Sequence, residues 1–168
     1  QREVINNIIP IVKPDLIHCN DWMTGLIPGM ARRLSIPCLF TVHNIHTCKM
    51  TLAEVEDRGI DAAEFWPYLY YSWPPYNYEE TRDHNPVDLL ASGIFAAHFI
   101  NTVSPTFLNE IVDGRHDFVP AHIRGEFAHK VSAGCATGIL NAPDPHYDPR
   151  TDEALVRNYG PDNHVEGK

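Results

Sequence analysis

Apolar residues recur at helical spacing from Val4 to Val12 (Val4, Ile5, Ile8, Ile9 and Val12), and Pro14 follows, which predicts a helix over 3–12. Leu16-Ile17 then reads as a short strand. Behind it Trp22, Leu26, Ile27, Met30 and Leu34 mark the apolar face of a second helix, and Cys38–Val42 is a second apolar run of strand type. Asp21 stands at the N-cap position of that second helix, Pro28 kinks the helix or delays its start, and Arg32 and Arg33 sit near its carboxyl end, where positive charge suits the dipole. A strand-helix-strand unit of this length makes its strands parallel, with their carboxyl ends on one edge. Polar residues follow each strand: His18, Asn20 and Asp21 after the first, His43 and Asn44 after the second. In an open parallel sheet ligands bind in the crevice outside the strand carboxyl ends, so both groups are expected to face one site.

From Thr47 to Asp83 the texture changes. Phe65, Trp66, Tyr68, Tyr70, Tyr71, Trp73, Tyr76 and Tyr78 crowd together with Pro67, Pro74 and Pro75, too irregular for one helix and too rich in proline for a central strand. This stretch is read as an excursion from the sheet. Regular pattern resumes with Asn85-Pro86 as N-cap and first helical residue, a helix through Val87, Leu89, Leu90, Ile94 and Phe95, and a strand over His98–Val103. Ser104-Pro105 repeats the start signal for a helix that ends at Gly114, and a short helix is expected around Ala121 to Phe127. Gly138–Asn141 reads as a further strand, with Ala142-Pro143-Asp144 after it. The expected class is α/β, a Rossmann-like parallel sheet flanked by helices. Residues 1–147 are expected to form an incomplete domain, and 148–168, charged and bearing proline and glycine, read as a linker toward a further one.

Composition adds exclusions more than functions. At 168 residues, with 43% hydrophobic and 21% charged residues, the chain is ordinary globular material. A net charge of −9 argues against nucleic acid as a partner, because such affinity depends on neutralising phosphates. No apolar run reaches the roughly 20 residues a membrane span needs, and the amino end carries no secretory pattern, so the expectation is a cytoplasmic protein with no membrane partner. Cys19, Cys38, Cys48 and Cys135 are widely spaced without a C-x-x-C pair and are taken as reduced. Numbering opens on Gln1 in a helical pattern, which reads as a piece beginning inside a longer protein.

His18, His43 and His46 invite a zinc reading, yet two histidines three apart without a third ligand are weak support, and no metal is assigned. There is no G-x-S-x-G elbow and no glycine-rich phosphate loop, and Ser104 is explained by capping. Taken alone, Asp21 is a helix cap and His43 a hydrogen-bonded strand-end residue. Their placement on one edge with Asn20, Asn44 and Asn141 changes that balance. A rim of amides, one carboxylate and one imidazole suits sugar hydroxyls better than a polyphosphate. The aromatic excursion offers ring faces for sugar C–H groups, or a small satellite core, about equally.

The order H-x-N-D-W-x-T-G-L, F-T-V-H-N-I, N-T-V-S-P-T-F-x-x-E-I and G-I-L-N-A-P-D, with P-x-T-D after it, resembles the amino-terminal domain of bacterial glycogen synthases and plant starch synthases, over about Pro14 to Asp152. The resemblance implies two Rossmann-like domains of GT-B type with the active site between them. It implies transfer of glucose, with retention, from a nucleotide diphosphoglucose (ADP-glucose or UDP-glucose) to the non-reducing end of an α-1,4-glucan, without cofactor or metal. Matched by motif, Asp21 and His43 are the implied catalytic residues, and Asn20, Trp22, Asn44 and Asn141 the implied substrate-binding ones. Phosphate-stabilising cations and a glutamate would come from a carboxyl-terminal domain that this chain lacks. Asn20 and Met23 stand where the family usually has histidines, Ala142-Pro143 where Gly-Ile or Gly-Val is common, and Cys48-Lys49-Met50 in place of a Gln-Gly segment. The family's Lys-Thr-Gly-Gly loop is not present. Two other readings compete with this one: another retaining enzyme of the same architecture, such as a sucrose-type synthase, and a non-catalytic glucan-binding module.

Overall fold

The strand-helix-strand unit is present in the computed structural model, which describes residues 1–141, 148–154, 158 and 160. The amino end opens with a π turn, Val4–Ile8, that runs into helix α1, Ile9–Val12. The wider π turn shifts the phase of the apolar stripe. Ile5 and Ile9 are therefore buried, while Ile8 and Val12 point outward and the stripe does not form one buried face.

Strand β1 is Ile17–Asn20, shifted toward the carboxyl end from the Leu16-Ile17 expected. His18 and Asn20 thus lie on the strand and not after it. The strand's bounds are hard to read in sequence because, among the described residues, β1 pairs with β2 alone and only Ile17 and Cys19 turn toward the core, so the apolar signal is thin. After a 3-10 turn, Trp22–Thr24, helix α2 runs Ile27–Arg33, so Pro28 delays the start. Arg32 and Arg33 occupy its last turn as expected. Strand β2, Cys38–Val42, coincides with its apolar run and pairs in parallel with β1, Asn20 opposite Thr41.

The excursion contains strand β3 (Lys49–Met50), helix α3 (Leu52–Glu56) and helix α4 (Tyr78–Arg82), and strand β4 (Val87–Asp88) closes it by pairing antiparallel with β3. Thr51 and Glu54 form a capping box on α3. Phe65, Leu69 and Tyr71 are buried, Trp66, Tyr68, Tyr70 and Tyr78 half-buried, and Trp73 and Tyr76 exposed. Most of these rings are satellite core. Trp66 packs on Tyr78 at 6.0 Å, and Glu56 accepts hydrogen bonds from Tyr78 and Arg82.

Helix α5 is Leu89–Ala96, capped by Asp88 and not by Asn85. The Asn85 amide instead brackets the backbone of Trp73, accepting from its N–H at 3.3 Å and donating to its carbonyl at 2.7 Å. Strand β5 is Phe99–Thr102, and helix α6, Pro105–Val112, has the expected Ser104 cap and Gly114 just past its end at φ +71°. The Arg115 N–H reaches back to the Glu110 carbonyl, the closing bond of a Schellman turn. Helix α7, Ala121–Ser132, is longer than its apolar pattern showed. Strand β6 is Ala136–Gly138, ending at the residue where the expected Gly138–Asn141 strand began, because its partner β5 gives way to the α6 start at that level. A Cβ on Gly138 would lie 2.3 Å from Pro105, so only glycine fits there. Ala142-Pro143-Asp144 falls outside the described residues.

The sheet order is β1-β2-β5-β6, all parallel. Helix α5 lies against the face carrying Phe40, so closely that a Cβ on Gly93 would come within 2.3 Å of that ring. The core is continuous: Phe40, Leu90, Ile94, Ile100, Ile111, Ile123 and Phe127 are all fully buried. Among the described residues no helix is long and apolar enough to cross a membrane.

At the opposite edge from the strand carboxyl ends, Arg32 donates to the carbonyls of Ala96 and Ala97 and Lys130 to those of Phe95 and Ala97, so two cations complete the end of α5. His98 Nδ1 accepts from the Cys38 N–H at 3.2 Å. Burial first, then the charges of Arg32 and Lys130, hold this imidazole below its ordinary range. The folded state thus resists protonating His98 more than the unfolded state does. Its contribution is complete above an unfolded value of about 6.5 and is lost as pH falls through the folded value. Urea midpoints should fall on acidification from pH 7.5 to 5 more steeply in the wild type than in His98→Asn. Parallel slopes in the two proteins would remove His98 from the account.

Candidate functional site

Asp21 leaves β1 with φ 54° and ψ 176°, a conformation essentially reserved for glycine. Holding a non-glycine residue there costs about 1–3 kcal/mol. The surroundings over-determine it: Asp21 N–H donates to the Thr41 carbonyl at 3.0 Å, and Asp21 Oδ1 accepts from the His43 N–H at 2.8 Å. The carboxylate does not cap the following turn, contrary to the sequence expectation. It braces the end of the neighbouring strand, and Oδ2 takes no hydrogen bond among the described residues.

His43 follows β2 directly and is exposed. Its Nε2 lies 3.1 Å from Asn20 Oδ1, so in the neutral ring Nε2–H donates to the amide and Nδ1 keeps its lone pair. Asn20 is fixed in turn by Thr24, whose hydroxyl donates to the Asn20 carbonyl and accepts from its N–H. Asn20, Asp21 and His43 therefore form one hydrogen-bonded group at the carboxyl edge of two adjacent parallel strands, as the sequence led one to expect. Among the described residues a carboxylate oxygen of Asp21 and a ring nitrogen of His43 are left without hydrogen-bond partners, and no lysine or arginine is bonded to either side chain.

The other residues distribute differently. Trp22 is half-buried against the core. Asn44 Oδ1 accepts from the His46 N–H at 3.0 Å and shapes the turn after β2. Asn141 is exposed beyond β6, on the far side of β5 from His43, and no hydrogen bond joins it to Asn20, Asp21 or His43 among the described residues. His18 Nε2 lies 2.7 Å from Thr41 Oγ1, which donates to Asn101 Oδ1 at 2.6 Å. This row crosses three strands just inside the site, and Thr41 and Asn101 are buried. Sequence reading passed over both, although a threonine and an asparagine inside strands of an apolar sheet are the kind of signal that marks a polar network. Among the described residues no group of three or more metal-ligating side chains comes together.

The sequence pattern described as the starch synthase catalytic domain matches residues 2–121, well over half of the chain. The chain belongs to that family. As a starch synthase family domain it is 33% identical over 154 residues to a glycogen synthase of Thioalkalivibrio sulfidiphilus, covering 90% of this chain and 29% of that protein. A glycogen synthase of Acholeplasma laidlawii is 30% identical over 164 residues, with 92% of this chain and 31% of that protein covered. The domain thus spans about three tenths of the curated relatives it matches. Its fold is similar to the solved catalytic domain of Starch Synthase IV from Arabidopsis thaliana, bound to ADP and acarbose: TM-score 0.58, 22% identity, 90% of this chain and 31% of that one covered. The parallel four-stranded sheet flanked by helices in this synthase-family domain is the fold that likeness shows.

Proposed function

We propose that this chain is the acceptor-side half of a retaining glucosyltransferase that moves glucose from ADP-glucose or UDP-glucose to the non-reducing end of an α-1,4-glucan, in glycogen or starch synthesis. The observation that carries the reading is the strained Asp21, whose carboxylate is aimed at the His43 backbone on the rim where an α/β sheet binds ligands. Strain of this kind persists where position matters more than stability. Membership of the family and the glycogen synthase relatives support the choice of reaction class.

On this reading Asp21 and His43 act at the reacting sugar carbon. The carboxylate stabilises positive charge that develops as the bond to the leaving phosphate breaks, and the exposed imidazole accepts from a sugar hydroxyl at Nδ1. Asn20 sets the tautomer of His43, and Asn44 and Trp22 line the approach. Asn141 belongs to the same rim only across β5. Residues 1–147 make the amino-terminal domain and 148–168 the passage to a second domain, which supplies cations for the leaving diphosphate. The working compartment is the cytoplasm.

The experiment is incorporation of labelled glucose into glycogen. The purified chain is expected to incorporate none from either nucleotide sugar, and the complete enzyme carrying this domain to incorporate it at chain ends. Transfer by the chain alone refutes the division of labour. Absence of transfer by the complete enzyme from both donors refutes the reaction.

A further inference from the structure

Among the described residues β1 is an edge strand, and its last residue, Asn20, gives neither its N–H nor its carbonyl to β2. One side chain serves both groups. Thr24 Oγ1 accepts from the Asn20 N–H at 2.9 Å and donates to the Asn20 carbonyl at 2.7 Å. The Thr24 N–H donates to the Asp21 carbonyl at 3.0 Å, and Oγ1 lies 3.1 Å from that same oxygen. The φ of Asp21 is set by the peptide group that joins it to Asn20, and its ψ by the group that joins it to Trp22. Thr24 holds the carbonyl of each. The remaining brace on the Asp21 backbone is the Thr41 carbonyl, which any residue at that position would supply, so the Thr24 hydroxyl is the one that depends on residue type. Thr24 is firmly placed: a Cβ on the next residue, Gly25, would lie 1.9 Å from the Leu89 carbonyl oxygen, so the turn Trp22–Thr24 is pressed against the start of α5.

Resting on the glucan-transfer reading, we infer that Thr24 is a positioning residue for that reaction: its hydroxyl locks the peptide groups on either side of Asp21, keeps Asp21 at φ 54° and ψ 176°, and so aims the carboxylate. The chemistry asks for a hydroxyl. One oxygen must accept on one side of Asn20 and donate on the other, whereas an ionised carboxylate only accepts and a valine of the same shape does neither. Without that oxygen the peptide group between Asn20 and Asp21 is released on the open side of the strand. A non-glycine residue then relaxes toward the ordinary backbone regions, and Asp21 Oδ1 leaves the His43 N–H that it now holds at 2.8 Å. The residue acts through Asp21 and need not touch the sugar itself.

The test is Thr24→Val beside Thr24→Ser. In the complete enzyme Thr24→Val should lower kcat by on the order of tenfold to 10²-fold with little change in KM, the scale of a misplaced reacting group. Thr24→Ser, which keeps the hydroxyl, should restore most of it. The melting temperature of Thr24→Val should stay level, because relief of strain at Asp21 offsets the lost bonds. In an Asp21→Asn background Thr24→Val should cost little more, since the charge that it misplaces is already gone. In the purified chain the His43 backbone amide reports the brace by NMR: its proton should exchange faster in Thr24→Val and as in the wild type in Thr24→Ser. Normal kcat in Thr24→Val, a loss that serine does not restore, a melting temperature that falls along with kcat, a full further loss in the Asp21→Asn background, or an unchanged His43 amide would each overturn the assignment. Faster His43 exchange in Thr24→Val, together with a complete wild-type enzyme that transfers no glucose, would reject the reaction and keep the hold of Thr24 on Asp21.

Discussion

Asp21→Asn in the complete enzyme is expected to lower kcat by on the order of 10²-fold or more with little change in KM. The reasoning is geometric. Asparagine keeps an oxygen that can accept the His43 N–H, so the end of β2 stays braced, and what disappears is the negative charge on the free side of the carboxylate. A charge that matters where the glycosidic carbon becomes electron-poor counts in the transition state more than in the ground state, which is the signature of a fall in kcat alone. His43→Ala is expected to act the same way on kcat. Because the imidazole is exposed and, among the described residues, bonded to Asn20 alone, its loss should leave stability within about 0.5 kcal/mol, a melting shift of about 2 °C or less. Kinetics and melting curves of both variants decide the matter. A near-normal kcat in Asp21→Asn returns the carboxylate to a bracing role, and collapse of the fold in His43→Ala returns the imidazole to the structure.

The largest stability effect is expected at Asp88. Its carboxylate, 2% exposed, accepts from the Ala91 N–H at 2.9 Å and the Thr47 hydroxyl at 2.6 Å on one oxygen, and from His122 at 3.0 Å on the other. Thr47 Oγ1 also accepts from the Leu90 N–H. One buried group therefore caps α5, ties down the turn that follows His43 and holds α7, whose His122 stacks on Tyr70. Asp88→Ala removes a helix cap and leaves a hydroxyl and an imidazole without their partner, for a loss of about 3 kcal/mol, or about 6–12 °C in melting temperature. Asp88→Asn keeps the oxygen that serves Ala91 and Thr47 and should lose less than half as much. Urea unfolding of the two variants is the measurement, and equal losses in both would show that the charge, and not the hydrogen bonds, holds the three elements together.

Where the sequence was legible, a local signal met no competitor. Cys38–Val42 is apolar but for Thr41 and lies between two parallel partners, so its bounds came out as read. Ser104-Pro105 and Gly114 mark the two ends of α6 because capping and a left-handed residue are local requirements. Two helix-start signals stand close together at Asn85-Pro86 and Asp88, and tertiary contacts chose between them. The pairing of β4 with β3 occupies Val87, and Trp73 claims the Asn85 amide. At the site, the neighbourhood of Asp21 and His43 followed from strand order alone. The role of Asp21 did not. A cap residue and a residue bridging two strands look identical in sequence, and only the positive φ, imposed by bonds to Thr41 and His43, separates them. Asn141 was expected on the same edge as His43, and β5 stands between their strands, a separation that linear order does not display.

The β3–β4 ribbon bears on how the chain finds this arrangement. Before it forms, bringing β5 beside β2 means closing a loop of about sixty residues, since Leu39 pairs with Phe99. Lys49 pairs with Asp88, so once the ribbon is made the open chain between the two central strands shrinks to roughly twenty residues. The logarithmic law of loop closure sets that difference at about 1 kcal/mol of chain entropy. The excursion is thus a clasp between the two halves of the sheet, shortening the chain that its central pairing has to close.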